Sequence, residues 1–232
     1  MKRTLALISS LAVISLVSAD DFDKKIAGFQ LLQDKKVQAE LKITEAQRSK
    51  LNKHADSFNA KAAAYQKELE AEAKKTKKQV QPDPKRINAI MSDLKAKVLS
   101  ELSAVQLKRL RELSLQAVGV TALGDDLVAA KIGLTSAQKT QVRSVVKSGL
   151  DAANKLLAQA DANARKGIKE PKSEAEMKKA QETYAKKIEA EQKKIQPQLQ
   201  KIRQDTIQKA LKVLNAKQNE TWKQLQGKPF TG

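Results

Sequence analysis

The sequence predicts an all-α protein of long amphipathic helices. Three observations carry that prediction. Apolar residues recur at steps of three and four in three long stretches, apart from one step of seven between Ile188 and Ile195, as one stripe of a helix requires. No segment alternates with period two, and no Asn-Gly or Asp-Gly hairpin turn occurs. The helical stretches are rich in Ala, Lys, Gln and Glu, which favour helix. Their apolar faces are narrow, and such helices form a curved, extended layer more readily than a globe.

Taken in order, the chain opens on a segment unlike the rest. Lys2 and Arg3 precede an apolar run from Leu5 to Val17, and Val17-Ser18-Ala19 offers small residues before Asp20. This pattern predicts a cleavable secretory leader over residues 1–19. The run is too short to span a bilayer. With no Cys at the cleavage point, a lipid anchor has no attachment site. Cleavage would leave 213 residues at a net charge near +17. The first stripe runs Leu51, Ala55, Phe58, Ala62, Tyr65, Leu69, Ala73, in a helix from Glu45 that Gln81-Pro82-Asp83-Pro84 stops. Val118-Gly119 to Gly124 separates two halves, 20–118 and 119–232. The second stripe runs Val142, Val145/Val146, Leu150, Ala153, Leu156/Leu157, Ala160, Ala164, in a helix from Ser136 that ends at Gly167 to Pro171. The third runs Met177, Ala180, Tyr184, Ile188, Ile195, Leu199, Ile202, with a kink or break expected near Lys193 to Gln196 because of Pro197. Gly227 to Gly232 reads as a non-helical tail.

Composition excludes whole classes of function. There is no Cys, so no disulfide framework, thiol nucleophile or Cys-bound metal is possible. One His, His54, rules out a multi-His metal site and leaves little for Ser-His-Asp chemistry. No Gly-rich nucleotide cradle is present. The expectation is a non-enzyme with no cofactor and no metal. Leu, Ile, Val and Phe supply 47 of the 213 residues after the leader, enough to fold around a thin core. The whole chain carries +19 with a pI near 9.9, the footprint expected of a nucleic-acid binder. Aromatics are only 3%, however, and the basic residues are mostly Lys, so stacking platforms are lacking. No nucleic-acid partner and no membrane span are expected.

The chain repeats itself. A shift of 91 aligns Leu32 to Gln47 with Leu123 to Gln138, with seven identities in sixteen positions. A shift of 112 aligns Leu99 to Leu113 with Leu211 to Leu225. The sequence thus reads as a tandem duplication with 21 residues inserted in the second half. Each half holds two copies of one pattern: an aliphatic residue, then Ser, Thr or Asn, two variable residues, and Gln. The four instances centre on Ile43, Thr44 and Gln47; Leu102, Ser103 and Gln106; Leu134, Thr135 and Gln138; and Leu214, Asn215 and Gln218. Locally each is a capping box, in which the N-cap side chain accepts from the N3 amide and the Gln reaches back to the N-cap amide. Helix starts are expected at Thr44, Ser103, Thr135 and Asn215. On capping alone, losing the Gln should cost less than losing the Thr.

These motifs resemble the LTxxQ signature of the Spy/CpxP family of periplasmic proteins, with Leu134-Thr135-Ser136-Ala137-Gln138 and Ile43-Thr44-Glu45-Ala46-Gln47 the nearest matches. Leu102-Ser103-Ala104-Val105-Gln106 is a Ser variant, and Leu214-Asn215-Ala216-Lys217-Gln218 departs from the signature with Asn. The resemblance implies two tandem Spy/CpxP-like helical units forming a cradle. One chain would then act as a pseudo-dimer, since family members with two motifs pair into dimers. It implies an exported, ATP-independent chaperone of unfolded or partly folded envelope proteins, or an envelope-stress modulator acting on the periplasmic domain of a sensor kinase. The family's zinc-responsive members use His-rich or Cys-bearing segments, which this chain lacks.

The residues support a similar reading independently. A narrow apolar stripe flanked by lysines can hold partly unfolded chains, with charge attracting and apolar contact retaining them. Candidate client-binding residues are Phe58, Tyr65 and Tyr184, with the cluster Lys74, Lys75, Lys77 and Lys78. A basic run is also what an ordinary solvated helix face looks like. The alternative function is a structural envelope protein binding anionic cell-surface polymer through those lysines. His54 lies one residue off the first stripe and reads as a packing or rim residue. Trp222 aligns with Leu110 and reads as core. Phe22 and Phe29 could be docked or client-contacting. Whether the chain associates further is open.

Overall fold

The computed structural model describes residues 21–171 and 173–232; the predicted leader lies outside them. The fold is all-α, with no strand among the described residues. The chain divides into two compact units, one running to Ser114 and including Thr231–Gly232, the other Leu115–Phe230.

The first unit begins with α1 (Asp21–Ile26), a 3-10 turn at Phe29–Gln33 and α2 (Lys35–Glu40). Long helices α3 (Glu45–Thr76) and α4 (Pro84–Ser100) follow, then α5 (Ala104–Val118), within which the division falls. The second unit holds a 3-10 turn at Gly119–Gly124, then α6 (Asp126–Ile132), α7 (Ser136–Arg165), α8 (Glu174–Lys212) and α9 (Ala216–Gln226). Local chemistry sets these boundaries. Asp34 caps α2 by accepting from the Lys36 amide at 2.8 Å, and Asp125 caps α6 by accepting from the Leu127 amide at 2.8 Å. Both short helices end in a left-handed residue, Lys42 (φ 51°) after α2 and Gly133 (φ 76°) after α6. The two positions differ by the same 91 residues that align the motifs.

In the first unit the core gathers Val37, Leu41, Val98 and Leu99 with Leu107, Leu110 and Leu113 of α5. Helix α1 is held by a buried ion pair, Arg111 Nε donating to Asp23 Oδ1 at 2.8 Å. Phe22 is buried, with the Arg111 guanidinium 5.8 Å from its ring centre. It is therefore docked, while Phe29 is half-buried. Helices α3 and α4 carry half-buried apolar residues and are joined by polar pairs. Lys61 meets Asp93 at 2.6 Å, Arg86 donates two hydrogen bonds to Glu68, and His54 lies 3.0 Å from Glu101. No residue of α3 is fully buried.

The second unit buries Leu115, Leu123, Val128 and Val142, together with Trp222. Helices α7 and α8 pack through small residues: Ala160, Ala164 and Ala210 are buried, and Gly149 sits against Thr206. A Cβ at Gly149 would lie 3.0 Å from Thr206 Cγ2 and collide with its hydroxyl. The extra length of this unit lies in α8, with 39 residues against 17 in α4, whereas α7 and α3 have 30 and 32. Helix α8 is about 58 Å long at 1.5 Å per residue.

The break expected before Pro197 does not occur; α8 runs through it as one helix. Pro197 is exposed, so water can take the carbonyl that loses its amide partner. Ile195 and Leu199 on either side are half-buried and hold the helix in place. Past α9, Gly227 to Gly232 is non-helical. Its path is fixed by Gln116, which donates to the carbonyls of Gln226 and Lys228 and accepts from the Phe230 amide at 2.9 Å.

Candidate functional site

The four motifs meet in pairs, one pair in each unit. Each carries both arms of a capping box, with Thr44, Ser103, Thr135 and Asn215 at the N-caps of α3, α5, α7 and α9. Ile43 and Leu214 are buried, and Leu102 and Leu134 are half-buried. The glutamines then do something that capping does not require. In the second unit Gln138 Nε2 donates to Gln218 Oε1 at 2.8 Å, and Gln218 Nε2 donates back to Gln138 Oε1 at 3.0 Å. The remaining amide proton of each goes to the main chain of the opposite motif: Gln138 to the Val213 carbonyl at 2.9 Å, Gln218 to the Gly133 carbonyl at 2.8 Å.

The first unit repeats the arrangement. Gln47 and Gln106 exchange hydrogen bonds of 2.8 and 3.1 Å. Gln47 also donates to the Glu101 carbonyl at 2.8 Å, and Gln106 to the Leu41 carbonyl at 3.1 Å. Each side-chain oxygen accepts twice, once from its own N-cap amide and once from its partner. Both donors and both acceptor sites of every motif glutamine are therefore filled. The residue is Gln in all four copies because the junction needs a donor; a Glu would serve the cap equally well.

Beside the first junction, Glu101 accepts from His54 at 3.0 Å and pairs with Lys50 at 2.9 Å. The His54 hydrogen bond, then that of Lys50, holds its carboxyl below the usual glutamate range. At the motif offsets Val145 and Val213 stand where His54 and Glu101 do. His54 is thus a rim residue engaged with a carboxylate.

The other candidate residues are dispersed. Phe58 is half-buried on α3. Tyr65 accepts from the Asp83 amide at 2.6 Å and lies under the Arg86 guanidinium at 4.2 Å. Tyr184 donates to Asp161 at 2.6 Å, with Arg165 stacked 5.0 Å above its ring. The bond to Asp161 raises the Tyr184 hydroxyl above its ordinary range, while Arg165 first and Tyr184 second depress the Asp161 carboxyl. Each tyrosine ties together the helices of its own hairpin through its hydroxyl. Lys74 and Lys75 lie in the last turn of α3, Lys77 is its left-handed C-cap, and Lys78 follows. All four are exposed and, among the described residues, none makes an ion pair. Of the residues marked in the sequence, this cluster is the one left free.

Two further features were not anticipated from the sequence. Large apolar side chains stand in solvent on the second hairpin, Leu150 at 55% exposure, Leu157 at 43% and Met177 at 49%. A groove of about 250 Å³ lies within the second unit, between the 3-10 turn, α7 and α8. Its walls include Val118, Val146, Leu150, Leu199 and Ile202, with Arg203 the one charged residue lining it. The signal for it was Gly149, an isolated glycine within a helical stripe, which marks close backbone approach. Among the described residues no three His, Cys, Asp or Glu side chains gather as a metal site would require, and no single helix is long and apolar enough to cross a membrane. No known protein-family model, curated protein or solved structure matches the chain.

Proposed function

We propose that the protein is an exported, ATP-independent client-binding protein that holds partly unfolded envelope polypeptides on its long helices. The observation that carries this reading is that the apolar stripes of those helices are only half-buried within their hairpins. Helix α3 buries no residue completely and α8 buries only Ala210, yet both carry apolar stripes. Leu150, Leu157 and Met177 remain in water on a lysine-rich hairpin. These exposed side chains offer a client apolar contact on a strongly charged surface. Lysine stems extend the apolar area while their charges keep the free protein soluble. Release would follow when the client buries its own apolar groups. The reading treats the two units as duplicated copies of one helical module and the protein as a non-enzyme. A sensor-kinase domain remains a partner of the same chemical kind, and residues 1–19 would direct export.

The test is suppression of aggregation of a chemically denatured model protein, without ATP, at low and high salt. Retained protection at high salt is expected, because apolar burial of about 25 cal/mol per Å² is not screened, whereas charge interactions shrink to about 8 Å in range at 0.15 M ionic strength. Absence of protection, with salt-sensitive binding to an anionic polysaccharide, would refute the proposal and favour a polymer-binding envelope protein.

A further inference from the structure

We infer that the groove of the second unit is an anchoring pocket for an acidic, apolar segment of an unfolded polypeptide, an inference that rests on the client-binding reading above. Three observations converge on it. The first is size. At about 250 Å³ the groove is smaller than the roughly 300–1,000 Å³ of small-molecule sites and suits one bulky anchoring side chain. The second is its lining. Val118 and Leu150 are more than half exposed at its mouth, while Val146, Leu199 and Ile202 form more sheltered walls. An apolar side chain entering here covers surface that the fold leaves wet. The third is charge. Arg203 lines the groove, is exposed, and makes no ion pair among the described residues. An uncompensated guanidinium beside an apolar pocket selects a carboxylate next to the anchor, since Arg and carboxylate match as planar, two-pronged partners. Asp205 and Lys209 line an adjoining hollow with Ser144 and Ser148, which shares Gly149, Ile202 and Thr206 with the groove; Asp205 itself is not among the groove's lining residues.

The repeat register sets this groove apart from the first unit. At the offset of 91, Phe58 stands where Gly149 does; at the offset of 112, Met91 stands where Arg203 does and Leu94 where Thr206 does. The first unit has bulk where the second has a gap, and a thioether where the second has a cation. Gly149 against Thr206 brings the two helices together beside the groove, and no side chain from position 149 enters it.

The probe is a fluorescently labelled, unstructured ten-residue peptide with a Leu-Phe-Leu core between two aspartates, compared with a twin carrying lysines instead. Anisotropy titrations use the purified chain. The acidic peptide should bind about tenfold tighter than the basic one, and Arg203→Gln should remove most of that preference. Leu150→Gln, and separately Ala153→Phe, which fills the groove, should weaken the acidic peptide at least fivefold. Leu150 and Arg203 are exposed, and unchanged helical circular dichroism would show that these variants remain folded. Equal binding of the two peptides, or wild-type binding by both Leu150→Gln and Ala153→Phe, overturns the proposal. So does saturable, Arg203-dependent binding of laurate with no peptide binding, which would make the groove a site for free amphiphiles. If Leu150→Gln loses the peptide yet suppresses aggregation as wild type does, the groove assignment fails and the client-binding reading stands. If the peptide binds as described but wild type never suppresses aggregation, the reverse holds.

Discussion

Replacing Gln138 by a glutamate separates the two things a motif glutamine can do. The carboxylate still accepts from the Thr135 amide, now bonded to the glutamine oxygen at 3.0 Å, and a negative charge near a helix N-terminus is favourable by about 0.3–1 kcal/mol. If capping were the whole role, the variant would be neutral or slightly more stable. The junction predicts the opposite. The introduced carboxylate cannot donate to the Val213 carbonyl or to Gln218 Oε1, which now receive hydrogen bonds of 2.9 and 2.8 Å. Two acceptors lose their donors and face a negative charge instead, beside a Gln218 that is only 6% exposed. At about 1 kcal/mol net per hydrogen bond, and more where a buried group is left unpaired, the loss is about 2–3 kcal/mol before the smaller gain at the cap.

Gln138→Ala should cost a similar amount, exceeding the roughly 1 kcal/mol of Thr135→Ala. That reverses the order which capping alone suggests. Urea unfolding followed by circular dichroism measures all three variants. A cycle combining Gln138→Ala with Gln218→Ala should show coupling of about 1–2 kcal/mol, because the second truncation removes a group already deprived of its partner. A neutral Gln138→Glu, or additive single losses, would show that the paired amides contribute nothing beyond the caps.

Lys42→Gly should stabilise the first unit by about 0.5–1 kcal/mol, since φ of 51° is strained for a residue with a Cβ; a lower urea midpoint would contradict this. Asp23→Ala should cost about 1–3 kcal/mol, because it removes the carboxylate to which Arg111 donates in a buried site, and heightened proteolysis before Ala27 should accompany the loss. Gly149→Ala gains helix propensity of about 1 kcal/mol but drives a methyl into Thr206, a misfit of about 1–3 kcal/mol. A net loss is expected, and Thr206→Ala should relieve it in the double variant. Glu101 has a depressed folded-state pKa, so its contribution is complete above the unfolded value of about 4.3 and is lost as pH falls through the lower folded value. Glu101→Gln should flatten the acid limb of the Tm profile below about pH 4.3, and an unchanged limb would rule the carboxylate out.

The helices were legible because their determinants are local. Thr44 and Thr135 with their glutamines, Asp34 and Asp125 before short helices, and the 3–4 stripes each act within one or two turns. Pro197 misled for the same reason. Its local cost is real, but the half-buried neighbours Ile195 and Leu199 act across the hairpin, and a single sequence does not show how firmly a helix is held from the side.

The candidate residues were harder to read because an aromatic ring on a stripe looks the same whether it is free or tied. Tyr65 and Tyr184 owe their hydrogen bonds to Asp83 and Asp161, 18 and 23 residues away, at separations that only the hairpin geometry closes. The glutamine junction spans 59 residues in one unit and 80 in the other, yet it did leave a mark in the sequence. A capping box tolerates Glu or Gln at N3, so a run of four glutamines and no glutamate asks for a second role that needs an N–H donor. Gly149 carries the same kind of information: in the middle of a helix, a residue that costs about 1 kcal/mol relative to Ala implies a close contact that the larger side chain would prevent. Both signals lie in what a position excludes rather than in what it contains. By that logic the junction and the groove differ in kind, since Gln-for-Glu recurs in both units while Gly149 aligns in sequence with Phe58. The first belongs to the shared helical module, and the second to whatever the second unit alone does.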